Sequence, residues 1–138
     1  MPVTLPQDYR PSEDEPFMNP QQREYFCRKL LRWREDLLHA SNETLQNLQE
    51  GGLQKADIAD RASLEADRSL ELRTRDRARK LVAKIDEALK RIEEGTYGYC
   101  RETNEPISLR RLEARPIATL GLEAQERHER MEKTRRDD

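Results

Sequence analysis

Apolar residues follow a helical rhythm through the middle of the chain. Between Asp57 and Glu94 they fall at Ala78, Leu81, Val82, Ile85, Ala88, Leu89 and Ile92, with neither Gly nor Pro in the stretch. That is the i, i+3, i+4, i+7 spacing of one helix face. Gly95 supplies a stop, and Gly98 follows it. A helix from about Asp60 to Glu94 would be roughly 50 Å long at 1.5 Å per residue. It cannot bury its stripe against a small globule, so it needs a partner of similar length. The upstream segment supplies one. Asn19-Pro20 reads as an N-cap with Pro at the first helical position. Phe26, Leu30, Trp33, Leu37, Ala40, Thr44 and Leu48 then recur at a spacing close to 3.5. Gly51-Gly52 ends that helix. The short link predicts antiparallel packing.

The expected fold is mainly α. An extended arm spans 1–19, where four prolines and the run Glu13-Asp14-Glu15 discourage regular structure. A coiled-coil hairpin spans 20–94, with its tip at 51–62. A small zinc-ribbon-like head spans 95–120, with turns at Asn104-Glu105-Pro106 and Arg115-Pro116. Tyr97, Tyr99, Ile107, Leu109, Leu112, Ile117 and Leu120, with Leu122 beyond, are its candidate core. A mostly polar helix over 121–138 closes the chain. The implied shape is a rod with a charged tip and a small head.

Composition fits long exposed helices. Of the 138 residues, 39% are charged and 34% hydrophobic, too polar for a thick core. The net charge of −2 exerts no general pull toward nucleic acid or anionic membrane. No apolar run is long enough to span a bilayer, and the first residues lack the layout of a signal peptide. Cys27 and Cys100 suggest no disulfide framework, so a reducing cytoplasm is the expected compartment.

Little in the chain suggests catalysis. His39 and His128, the only histidines, lie in charged helical stretches and read as solvated. No nucleophile elbow, P-loop or HExxH occurs. The carboxylates pair with Arg and Lys at i, i+4. Gly98-Tyr99-Cys100 resembles the entry to a zinc ribbon, but the second cysteine of a CxxC would fall at Thr103. A structural zinc needs four thiolate or imidazole ligands. No metal and no cofactor are therefore expected.

Charge is concentrated in three places. Asp57 and Asp60, followed by Ala62, lie at the tip. Helix capping accounts for at least one of them, and a second role remains open. Arg73, Arg75, Arg77, Arg79, Lys80 and Lys84 make one flank of the second helix basic, and Arg110, Arg111 and Arg115 do the same in the head. A solvated face is the ordinary reading of such runs. A phosphate-rich ligand or an acidic protein surface is the alternative, because arginine forks suit both.

The ordered runs DIADRAS, SLELRTRDRARKL, TYGYC and ISLRRLEARPIATL, with FMNPQQREYF upstream, resemble the DksA family of bacterial transcription factors over about residues 17–130. The resemblance implies a factor that binds bacterial RNA polymerase and inserts its coiled-coil tip through the secondary channel. With the alarmone ppGpp, such a factor modulates initiation at ribosomal RNA and other stringent-response promoters. It implies that Asp57, Asp60 and Ala62 act near the polymerase active site and that Arg77 touches the polymerase rim. Lys84, Arg115 and Leu81 fall where the family binds ppGpp. A lysine that follows the last zinc cysteine in family members is Gln125 here. Of the four zinc-cysteine positions only Cys100 is a cysteine, the others being Thr103, Gly121 and Ala124. The expectation is a zinc-free, monomeric, non-enzymatic member without sequence-specific DNA binding or membrane attachment. A transcript-cleavage or elongation-type channel factor and a plain coiled-coil adaptor are the alternative functions.

Overall fold

Asn19 opens the first helix as the sequence predicts: its Oδ1 accepts from the Gln22 N–H at 2.9 Å, and its carbonyl accepts from the Arg23 N–H at 3.0 Å. The computed structural model describes residues 3–51 and 58–137, with side chains for 3–43 and 62–135. The protein is mainly helical. Helix α1 is Pro20–Gly51, α2 Ile58–Glu94, α3 Leu109–Ala114 and α4 Leu122–Asp137. Among the described residues the only β pairing is the isolated bridge between Tyr99 and Pro106. The expected tip residues 52–57 lie outside the described residues.

Two compact units divide the chain. One is Met1–Leu30 with Glu87–Asp138, the other Leu31–Asp86. Within Leu31–Asp86, Arg34 Nε meets Asp86 Oδ1 at 2.7 Å. Leu37, Leu38 and Ser41 share a groove of about 220 Å³ with Ala78, Val82 and Ala83. Partners on α2 fall in number as those on α1 rise, so the two segments pack antiparallel. Ile85 is fully buried, while Trp33, Leu37, Ala78, Leu81 and Val82 are half-buried and Ala40 is exposed. The side chains of Thr44 and Leu48 lie outside the described residues.

The other unit holds the larger core. Phe26 and Leu30 from α1, Ala88 from α2, and Tyr97, Ile107, Leu109, Leu112 and Ile117 from the head are buried. Gly95 stops α2 with φ +81°. The Thr96 N–H bonds the Arg91 carbonyl at 2.9 Å and the Gly95 N–H bonds the Ile92 carbonyl at 3.3 Å, a Schellman cap. The head then turns tightly: the Ile107 N–H meets the Gly98 carbonyl and the Cys100 N–H meets the Glu105 carbonyl, both at 2.7 Å. Of the expected core, Tyr99 is 38% exposed and Leu122 62% exposed, and Leu120 is only half-buried. Tyr99 packs edge-on against Phe17, and Leu122 opens α4, whose sequence is polar on all sides.

The expected arm holds no regular element over its described residues, yet its chain is fastened. Tyr9 O–H donates to both Glu15 oxygens, at 3.0 and 3.2 Å, and its ring meets Tyr25 edge-on. Gln22 has no exposed surface: its Oε1 accepts from the Met18 N–H at 2.8 Å and its Nε2 donates to the Ser12 carbonyl at 3.1 Å. Met18 is buried with φ +53° against Gly98. A Cβ on Gly98, which has φ +91°, would meet Met18 at 3.0 Å, so this approach requires glycine twice over. Gln22→Leu should leave the buried Met18 N–H unpaired, the Ser12 carbonyl keeping the Glu15 N–H at 3.2 Å, and cost about 1–3 kcal/mol. Urea unfolding measures that loss, and limited proteolysis should cut earliest between residues 10 and 19.

Candidate functional site

The functional positions expected from the sequence are distributed over both units. In the tip, Asp57 lies outside the described residues. Asp60 stands in the first turn of α2, where a carboxylate suits the positive end of the helix dipole, and its side chain is not described. Ala62 follows on α2 and is exposed.

Farther along α2, still within Leu31–Asp86, Arg77, Leu81 and Lys84 stand at i, i+4 and i+7, on one face. Arg77 and Lys84 are exposed and Leu81 is half-buried. Arg73, Arg79 and Lys80 are also exposed, whereas Arg75 is half-buried. None of these cations makes an ion pair among the described residues. Unpaired guanidinium and ammonium groups beside a half-buried leucine form a surface able to receive carboxylate or phosphate.

Arg115 belongs to the other unit and caps the C-terminus of α3. Its side chain is exposed but its backbone is fixed from both sides. The Arg115 N–H bonds the Arg111 carbonyl at 2.8 Å, and the Arg115 carbonyl accepts from the Ala118 N–H at 3.0 Å. The next carbonyl, that of Pro116, accepts from Tyr97 O–H at 2.7 Å. Helix α3 starts on Ser108, whose hydroxyl accepts from the Arg111 N–H, and buries Leu109 and Leu112. Among the described residues its one charged tie to α1 is Glu113, which meets Lys29 Nζ at 2.7 Å. Burial pushes the Glu113 carboxyl up, but the bonds from Lys29 and Tyr25, with the charges of Lys29 and Arg10, bring it below its ordinary value. Gln125 is half-buried early in α4 and donates to Glu129 at 3.2 Å.

Cys100, Thr103 and Gly121 come together, and Ala124 is buried early in α4. Cys100 is 3% exposed and Ala124 2% exposed, and a Cβ on Gly121 would lie 4.0 Å from the Cys100 Cβ. Burial raises the thiol, but N–H groups of Gly121, Thr103 and Glu102 and the Thr103 hydroxyl outweigh it, lowering the thiol to about 7. Thr103 Oγ1 also accepts from the Glu105 N–H at 3.3 Å. His128, on α4, pairs with Glu102 of the same turn, while the exposed His39 pairs with Glu43 at 3.1 Å. Cys27 is half-buried and its thiol is raised, chiefly by burial.

Residues 22–92 match the family described as DnaK suppressor protein DksA, N-terminal domain, and residues 95–130 match the prokaryotic dksA/traR C4-type zinc finger. The chain belongs to the DksA family. A relative from Caulobacter vibrioides, named RNA polymerase-binding transcription factor DksA, is 66% identical over 131 residues, covering 95% of this chain and 92% of that one. The Escherichia coli protein of the same name is 41% identical over 115 residues, covering 83% and 76%. The solved structure of transcription factor DksA2 from Pseudomonas aeruginosa superposes with a TM-score of 0.78 at 44% identity, covering 85% of this chain and 90% of that one. These DksA relatives are named as transcription factors, not as enzymes.

The zinc-finger match overturns one expectation, that the chain uses no cofactor: the head belongs to a family described by its C4-type zinc site. That expectation rests on the residues at the ligand positions, which do not report the ancestry of the head. The residues at the four positions do not fit such an ion, however. They supply one thiol, whose sulfur already receives N–H and O–H donors. No group of three or more His, Cys, Asp or Glu able to hold a metal occurs among the described residues. No described helix is long and apolar enough to cross a membrane.

The acid limb of stability should report Glu113. A carboxyl whose folded-state pKa is lowered stabilises the fold above its ordinary value of 4.5, and that contribution is lost as pH falls through the folded value. Glu113→Gln should therefore flatten the fall in stability below pH 4.5. It should also cost up to about 1 kcal/mol at neutral pH, since the pair is partly exposed. Urea midpoints measured across the acid range decide it.

Proposed function

We propose that this chain binds bacterial RNA polymerase through the secondary channel and, together with ppGpp, modulates initiation at ribosomal RNA and other stringent-response promoters. The observation that carries the reading is the 66% identity, over nearly the full length of both chains, to a relative named as an RNA polymerase-binding transcription factor. The exposed, unpaired cations of α2 support it, because an acidic protein surface or a phosphate needs such partners.

In this reading the tip residues Asp57, Asp60 and Ala62 enter the channel and act near the active site. Two carboxylates delivered there perturb either the catalytic Mg²⁺ or nearby basic mobile elements. Arg77 contacts the polymerase rim. Lys84 and Leu81 on α2, and Arg115 after α3, contact ppGpp. Cationic side chains supply charge-assisted bonds to phosphate, each contributing on the order of 1.5–3 kcal/mol. The leucine offers an apolar edge. Gln125 retains hydrogen-bonding capacity at the family's lysine position but supplies no charge. The factor acts as a monomer in the cytoplasm, without reading DNA sequence.

Transcription reconstituted on a ribosomal RNA promoter, with and without ppGpp, tests this. Asp57→Asn with Asp60→Asn should keep polymerase affinity within about threefold, because the loss of two tip charges changes little at a distant contact. Inhibition of initiation should be lost. Normal regulation by the double variant would refute the tip mechanism. Stimulated cleavage of backtracked transcripts would indicate a cleavage factor, and no polymerase binding at all an adaptor.

A further inference from the structure

We propose that Lys29 of α1 is a positioning residue for Arg115, acting through Glu113 and the short helix α3. The proposal rests on the reading of Arg115 as a contact to ppGpp.

Helix α3 has six residues, too few to hold a helical conformation unaided. Its buried leucines, Leu109 and Leu112, fix how deep it sits. Apolar packing is non-directional and sets the rotation of a two-turn helix only loosely. The directional restraint comes from polar ties. At the start, Ser108 caps the helix. Along one side, Arg111 Nε donates to the Leu120 carbonyl at 2.9 Å. Near the end, Glu113 takes the Lys29 ammonium at 2.7 Å, and that ammonium lies 5.9 Å from the centre of the Tyr25 ring.

Arg115 follows Glu113 by two residues and leaves the helix at φ −141°. Beyond it, Tyr97 holds the Pro116 carbonyl. The short segment that presents Arg115 is therefore clamped at Glu113 by α1 and at Pro116 by the buried phenol. A guanidinium bonds an anion well only when its donors are aimed at it. Loss of the Glu113 tie removes the restraint that α1 places on α3, leaving Ser108 and Arg111 to set its rotation, and loosens the aim of the Arg115 fork. Neither Lys29 nor Glu113 needs to touch the effector to set the response to it.

The test uses the full chain with RNA polymerase, titrating ppGpp while following initiation at a ribosomal RNA promoter. Polymerase affinity and inhibition without ppGpp are measured alongside. Lys29→Met and Glu113→Gln should each raise the half-maximal ppGpp concentration by about fivefold, the scale of one partly exposed ion pair. Inhibition without ppGpp should be unchanged. The exchanged pair, Lys29→Glu with Glu113→Lys, should recover at least half of the loss. A merely structural pair would instead depress both parts of the response together, and that outcome overturns the proposal. So does a normal ppGpp titration in Lys29→Met when Arg115→Ala is defective, or an exchanged pair no better than the single variants. If Arg115→Ala itself titrates normally, the assignment of Arg115 to the effector fails first, and the positioning role falls with it.

Discussion

The hydrogen bond from the Tyr97 phenol to the Pro116 carbonyl, at 2.7 Å, is the constraint on which the head depends. The ring is 2% exposed and packs 5.7 Å from Phe26, so the hydroxyl has no water to turn to. A buried phenol without a partner costs a large part of what its ring contributes. Placing that one acceptor fixes where residues 115–118 run. Burial also holds the phenol well above its ordinary ionisation range. The Schellman cap at Gly95 and the close approach of Met18 to Gly98 deliver Tyr97 to this place.

The two units are stabilised differently. In Leu31–Asp86 the stripes are half-buried, Ile85 is the one fully buried residue among those described, and Leu70 and Leu72 stay exposed. Stability there comes from long amphipathic segments and scattered polar contacts such as Arg34 with Asp86. Such a surface leaves its cations uncommitted. In the other unit, residues far apart in sequence close over one core, and directional polar ties such as Lys29 with Glu113 and Tyr97 with Pro116 join them. A partner can thus be met by open charge on α2 while the head holds Arg115 in a fixed place. That division suits the regulatory reading proposed for this member of the DksA family.

Helix periodicity made the fold legible. The apolar stripes, the Asn19 cap and the Gly95 stop all reflect short-range rules, and they predicted α1 and the end of α2 closely. Helix α3 was missed because six residues carry too little periodicity to register beside the neighbouring turns. The fastening of the arm was missed for a different reason. Proline-rich sequence signals a lack of helix, not a lack of contacts, and the partners of Tyr9, Met18 and Gln22 come from tertiary structure. Gln22, fully buried in a charged segment, gives no sign of its role in local sequence. The Arg77, Leu81, Lys84 row was readable as one helix face, whereas the Lys29–Glu113 tie joins positions with no sequence pattern between them. The cofactor expectation failed because it weighed the ligand residues present over the zinc-finger lineage of the head.

The central functional claim concerns where the tip goes, and cross-linking addresses it directly. A photoreactive amino acid in place of Ala62, which is exposed on α2, would be activated in the complex with RNA polymerase and the linked polymerase segment identified. The account predicts links to elements beside the catalytic centre, lost when a bulky group blocks the secondary channel. Links confined to the outer surface of the polymerase, or unaffected by the block, would contradict it.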